Sequence, residues 1–211
     1  MAMARKFDLN KAVADYCSEA TQRGRNVELS DLVDHIAEIS NRLEENVRKS
    51  VFPLMMTSMV RIEEEVFTDP KFFEFDVAVI DASIEKTLGR RDYLPICSFE
   101  PFEHFPPCGG GRSWNNFLFE SFCLNFSERF KPLSLIFNKQ CTGVIVYKED
   151  ARTFHDIAAD MLARAASVEL TVQGAVDYLK SNKMIGKAKY NRCDELLEDA
   201  AKIRKKLLTS R

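Results

Sequence analysis

The sequence has little of what a catalytic centre is built from. Its 211 residues include only three histidines, one tryptophan and eight glycines. No H-E-x-x-H pair is present to hold a catalytic zinc on one helix face. Gly109-Gly110-Gly111-Arg112-Ser113 has the glycines of a phosphate loop but lacks the Gly-Lys-Ser/Thr ending whose lysine reaches the phosphates. Gly111-x-Ser113-x-Asn115 misses the second glycine of a nucleophile elbow. Cys108 and His104 stand in a proline-bounded loop, poor spacing for a thiolate–imidazole pair. His35 lies beside a helix seam and His155 in a first helical turn, where packing alone accounts for them. These absences predict a non-enzymatic protein with no cofactor.

Long apolar runs are missing too. None approaches the roughly 18 residues of a membrane-spanning helix, and the longest candidate, Val51-Phe-Pro-Leu-Met-Met, is broken by Pro53. The N-terminal Met-Ala-Met-Ala-Arg-Lys-Phe-Asp lacks the apolar stretch of a secretory signal. A cytoplasmic protein without membrane contact is expected. Its six cysteines include no C-x₂-C pair, and Cys97, His104 and Cys108 fit no familiar zinc spacing. No metal is expected, and the thiols read as reduced, small hydrophobes.

What the chain does hold is a core. Hydrophobic residues make up 45% and charged residues 29%, the average of globular domains. Most of the 16 phenylalanines fall between Phe52 and Phe137, so the centre is packed structure and not linker. The net charge of −2 hides an asymmetry. Residues 1–67 carry 9 basic and 12 acidic side chains, residues 68–150 again 9 and 12, and residues 151–211 carry 12 and 8. The last third is basic and the rest acidic, which bears on partners and not on fold.

Periodicity predicts a first helix from Leu9 to Arg23, capped by Asp8 and closed by Gly24. A longer helix begins at Ser30, where Leu32, Ile36, Ile39, Leu43 and Val47 recur at spacings of three and four. That seam predicts a homodimer or protein-partner face. Pro53 interrupts or kinks it, and Leu54 to Val66 resumes it. A helix is expected over residues 76–88, closed by Gly89. A short strand follows within 92–99, then a helical turn, a Pro/Gly loop and a helix from Ser113 to about Arg129. Lys131–Phe137 and Thr142–Tyr147 read as a hairpin. Helices over 154–165, from the Thr171 cap, and over 191–208 complete the chain, with no internal repeat.

The expected fold is therefore mainly α with a small antiparallel β-hairpin. Three regions are expected: a helical 1–67, an α+β domain over 68–150, and a helical 151–211. Helix, strand, turn, helix and hairpin in 68–150 is the element order of a winged helix, whose third helix can lie in a DNA groove. Lys180, Lys183, Lys187, Lys189 and Arg192, with Tyr178 and Tyr190 among them, suit a nucleic-acid backbone and unstacked bases. Arg112, Arg129 and Lys139 are further candidates for phosphate, and Asn115 and Asn116 for adenine edges. The expected function is a regulatory, DNA-binding protein of winged-helix, helix-turn-helix type. The alternative is a protein-interaction module using the seam and the Phe-rich centre.

Overall fold

The computed structural model describes residues 7–108, 111–133, 141–186 and 189–209. They group into two units, one of residues 1–76 with 107–126 and one of 77–106 with 127–211. This grouping differs from a division at 67 and 150, because the segment 107–126 packs with the N-terminal residues.

The first unit opens with α1 (Leu9–Gln22), where the Asp8 carboxylate accepts the Lys11 N–H at 3.1 Å. Gly24, at φ 66°, ends it: the Gly24 and Arg25 N–H groups return to the Thr21 and Ala20 carbonyls. β1 (Val27–Glu28) leads into α2 (Leu29–Ser40), and α3 (Glu44–Ser58) follows. The single long helix expected here is thus two. Asn41 takes the left-handed conformation at φ 52°, and the Asn41 and Arg42 N–H groups close on Glu38 and Ala37. Asparagine tolerates this conformation because its short polar side chain bonds locally. The apolar spacing continues across the break, but the face does not. Leu32, Ile36 and Val47 are buried in the unit's core with Val13, Phe52 and Met55, whereas Ile39 is 50% and Leu43 75% exposed.

Pro53 does not stop α3, which runs on to Ser58. The missing N–H would have paired with the carbonyl of Lys49, whose side chain is exposed, and water reaches that side of the helix. The helix expected as far as Val66 gives way instead to β2 (Val60–Arg61) and β3 (Val66–Thr68), joined by a turn of three glutamates. The antiparallel order is β1-β3-β2, with Phe67 opposite both Val27 and Arg61. α5 (Asn116–Asn125) packs on β2. There the fully buried Arg61 guanidinium meets Glu120 at 3.4 Å, the Glu64 carbonyl at 2.6 and 3.0 Å, and the face of Phe117. Beside it Val60, Ile62, Phe73, Cys108 and Leu118 form a second apolar cluster, flanked by Phe75 and Trp114.

The second unit begins with α4 (Val77–Leu88), closed by Gly89 at φ 62°. β4 (Tyr93–Pro95), β5 (Phe130–Leu133) and β6 (Val144–Tyr147) form an antiparallel sheet in the order β4-β6-β5. Both sheets therefore place the last strand in chain order between the other two. The expected hairpin is present, with Lys131 opposite Val146, and most of its connection, Lys139 included, lies outside the described residues. The strand expected over 92–99 is cut to three residues, since Pro95 ends it and Ile96–Phe99 turn as a 3₁₀ helix. Buried Asp81 of α4 accepts from the Ser127 hydroxyl at 2.7 Å and from the N–H groups of Glu128 and Arg129, fixing where β5 begins. Over the sheet lie α6 (Phe154–Arg164), α7 (Val172–Ser181) and α8 (Cys193–Thr209). Their shared core holds Val144, Ile157, Leu162, Leu179 and Leu196. The protein is mainly helical with two small antiparallel sheets, and among the described residues no helix is long and apolar enough to cross a membrane.

Candidate nucleic-acid interface

α7 positions the basic segment. Thr171 caps it by accepting the Gly174 N–H, and Ala175, Val176 and Leu179 face the core, so Lys180 is left in solvent. The helix ends when Lys183 adopts φ 50°. Its N–H returns to Lys180 at 2.9 Å and that of Met184 to Leu179 at 2.8 Å, while Met184 and Ile185 bury themselves. Glycine favours this position, and a side chain there costs about 1–2 kcal/mol. The chain carries a lysine instead, exposed on a turn anchored from below.

Lys180, Lys183 and Lys189 are exposed, with no ion-pair partner among the described residues. Lys187 lies outside the described residues. Arg192 is exposed too, but its guanidinium is held by Glu195 through Nε, at 2.8 Å, and Nη2. Tyr190 turns inward: its hydroxyl meets His155 Nδ1 at 3.1 Å and its ring packs on Phe154. Its hydroxyl is thus committed to the fold, while the ring is half-buried.

Beside this turn the second unit has a cleft of about 450 Å³, within the range of small-molecule sites. Three segments build it: the turn after α4 with Arg90 and Arg91, α6 with Asp160 and Arg164, and the end of α7 with Tyr178 and Asn182. Its charges are largely matched. The Asp160 carboxylate accepts from Tyr93 Oη at 2.6 Å and from Arg164 Nε at 2.8 Å. Burial first, and Asp160 second, push the Tyr93 phenol far above its ordinary pKa, so it stays a neutral donor. Arg152 stacks over Tyr93 but is bound to Asp150. Arg91 ties Nε to the Leu88 carbonyl at 3.2 Å, which leaves its Nη groups, and exposed Arg90 has no partner among the described residues. Three arginines, one of them paired with Asp160, and two half-buried tyrosines thus share one cleft with Asp92. The arginine pair of Gly89-Arg90-Arg91-Asp92 is visible in the sequence, but its neighbours come from segments far along the chain.

The remaining candidates are placed differently. Arg129 makes a two-pronged ion pair with Glu85 at 2.6 and 2.9 Å, which occupies both of its Nη groups. Asn115 is the N-cap of α5: Oδ1 accepts the Leu118 N–H and Nδ2 donates to the Ile62 carbonyl, each at 2.9 Å. Both halves of its amide are committed to the fold, so a base-reading role is corrected to a capping one. Asn116 is half-buried in the first turn of α5, and Arg112 is exposed ahead of it. These three belong to the first unit and the lysines to the second. No family model matches the chain, and searches of curated proteins and of solved structures return no match.

Proposed function

We propose that the protein is a non-enzymatic, nucleic-acid-binding regulatory protein of winged-helix type, and that its phosphate contacts come from the basic turn between α7 and α8. The observation that carries this reading is the exposure of Lys180, Lys183 and Lys189, with no ion-pair partner among the described residues; Lys180 and Lys183 are chain neighbours of Asn182, which lines the Arg90–Arg91 cleft. Cations next to aromatic rings suit a backbone with accessible bases. The winged-helix reading rests on topology. The element order is expected over 68–150, but what supports it lies in residues 9–68, in the order α1-β1-α2-α3-β2-β3 with sheet order β1-β3-β2. Residues 77–147 repeat the sheet order, but α5 groups with the other unit. In the first unit, Glu44, Glu45, Glu63, Glu64 and Glu65 outnumber Arg48 and Lys49 around α3 and the hairpin, and Arg48 is held by Glu65 at 2.7 Å. Such a face repels phosphate.

A second reading, a protein-interaction module, draws on that same face, where the exposed Ile39 and Leu43 adjoin Glu44 and Glu45. Titration of labelled single- and double-stranded nucleic acid at several salt concentrations separates the two. Nucleic-acid binding should weaken steeply with salt. Changing Lys180, Lys183 and Lys189 together to alanine should flatten the log–log slope by about two to three and weaken all sequences alike. If the intact protein shows no salt-dependent binding at low salt, the lysines are a solvated face and the interaction module takes first place.

A further inference from the structure

We infer that the cleft between the α4–β4 turn, α6 and the end of α7 receives one unstacked nucleotide of a single-stranded nucleic acid. Its phosphate would lie on Arg90 and Arg91 and its base against the ring of Tyr178. This deepens the nucleic-acid reading and rests on it.

Charge points to the phosphate. Of the two lining carboxylates, Asp160 holds Arg164 through Nε and Asp92 lies 3.8 Å from Arg152, so Arg90 and the Nη groups of Arg91 and Arg164 are the cationic donors of the cleft left for a ligand, three guanidinium groups against two carboxylates. A guanidinium fork matches a phosphate in two-pronged fashion. Shape and surface point to the base. Tyr178 is half-buried, lines the cleft, and has no hydrogen-bond partner for its hydroxyl among the described residues. Burial raises its pKa, which keeps the ring neutral. Asn182 donates Nδ2 to the Tyr178 carbonyl at 2.9 Å, which orients its amide and leaves Oδ1 to accept from a base edge. A duplex keeps its bases paired and stacked, so none can enter a cleft walled on three sides. A splayed base can. The polymer follows from continuity: Asn182 lines the cleft, and Lys180 and Lys183 stand exposed on either side of it in the same turn, placed for flanking phosphates.

The test is fluorescence anisotropy at low salt with three end-labelled probes: a single strand of about 12 nucleotides, within the site size of one such groove, a duplex of the same sequence, and a mononucleotide. The single strand should bind at least tenfold more tightly than the other two. Tyr178→Leu should weaken it by about fivefold or more without changing the salt slope. Arg90→Ala with Arg91→Ala should lower that slope by about 0.7, the value of one phosphate contact on a single strand. These two arginines lie on the surface, so the double variant carries the test even if Tyr178→Leu proves unstable. Duplex binding as tight as single-strand binding, with both variants silent, overturns the cleft and leaves the lysine turn standing. A mononucleotide that binds as tightly as the strand overturns the polymer assignment. No binding of any probe overturns the cleft and the nucleic-acid reading together.

Discussion

Arg204 offers the most direct check on how the helices over the second sheet are held. It reaches from α8 to the C-terminal end of α6, where Nε donates to the Ala163 carbonyl and Nη2 to Leu162 and Ala165, at 3.2, 2.7 and 3.0 Å. Nη1 continues to the Val168 carbonyl at 3.1 Å. The last carbonyls of any helix lack partners within it, and here one guanidinium serves several of them. It also sets a positive charge at the negative end of the α6 dipole. A hydrogen bond to a charged group contributes about 1.5–3 kcal/mol, but a cluster on one side chain does not sum, and freed carbonyls near the surface regain water. Arg204→Ala should therefore cost about 3 kcal/mol, which lowers Tm by about 6 °C or more. Arg204→Lys keeps the charge but presents a point instead of a fork, and should lose about half as much. Differential scanning calorimetry at neutral pH reads both, and the shift belongs to the transition of the C-terminal unit if the two units melt separately. An alanine variant melting within 2 °C of wild type would mean that water replaces the guanidinium freely. A lysine variant equal to wild type would refute the fork.

Two further outcomes follow from local chemistry. The Arg152 side chain, bonded to Asp150, holds that carboxyl below the usual aspartate range. Its stabilisation is present above the unfolded aspartate pKa of about 3.9 and is lost as pH falls through the lower folded value. Arg152→Met should flatten the fall of the urea midpoint below about pH 4, and parallel wild-type and variant profiles would count against the pair. Burial pushes the thiols of Cys17 and Cys108 up to about 11, and Cys123 and Cys141 are buried as well. A thiol-disulfide dye near neutral pH should quickly label only Cys97 and Cys193 in the native protein and all six in denaturant. Quick labelling of four or more native thiols would contradict that burial.

Features set by near neighbours were legible in the sequence. Asp8 and Thr171 cap the helices assigned to them, Gly24 and Gly89 end theirs, and the three C-terminal helices lie where apolar periodicity put them. The seam through Leu32 and Val47 misled because spacing of three and four continues past Asn41 while the backbone turns there. The strands of the first sheet were invisible for a different reason. At two or three residues each, they are too short to show alternation. Site residues failed where the partner is distant. Asn115 bonds to Ile62 and Arg129 to Glu85, separations of 53 and 44 residues, and a window along the chain shows neither. The cleft has the same character, since its arginines and Tyr178 meet only after the fold has formed.

The interleaved chain sets an order of events during synthesis. Residues 60–75 emerge from the ribosome well before Leu118 and Glu120, which cover them, and at about 5–20 residues per second the wait lasts some seconds. Through that interval Arg61 lacks its carboxylate and the aromatic cluster around Phe75 stays open. Meanwhile α4 appears and must itself wait, because Asp81 finds no partner until Ser127 arrives. Neither unit can close before the ribosome has passed Phe126, and the second must wait further for Leu196 and Ala200 of α8, so the first matures ahead of it. For the same reason no single cut between residues 76 and 127 yields two self-sufficient pieces. Dissecting the protein calls for grafting residues 107–126 onto the N-terminal fragment.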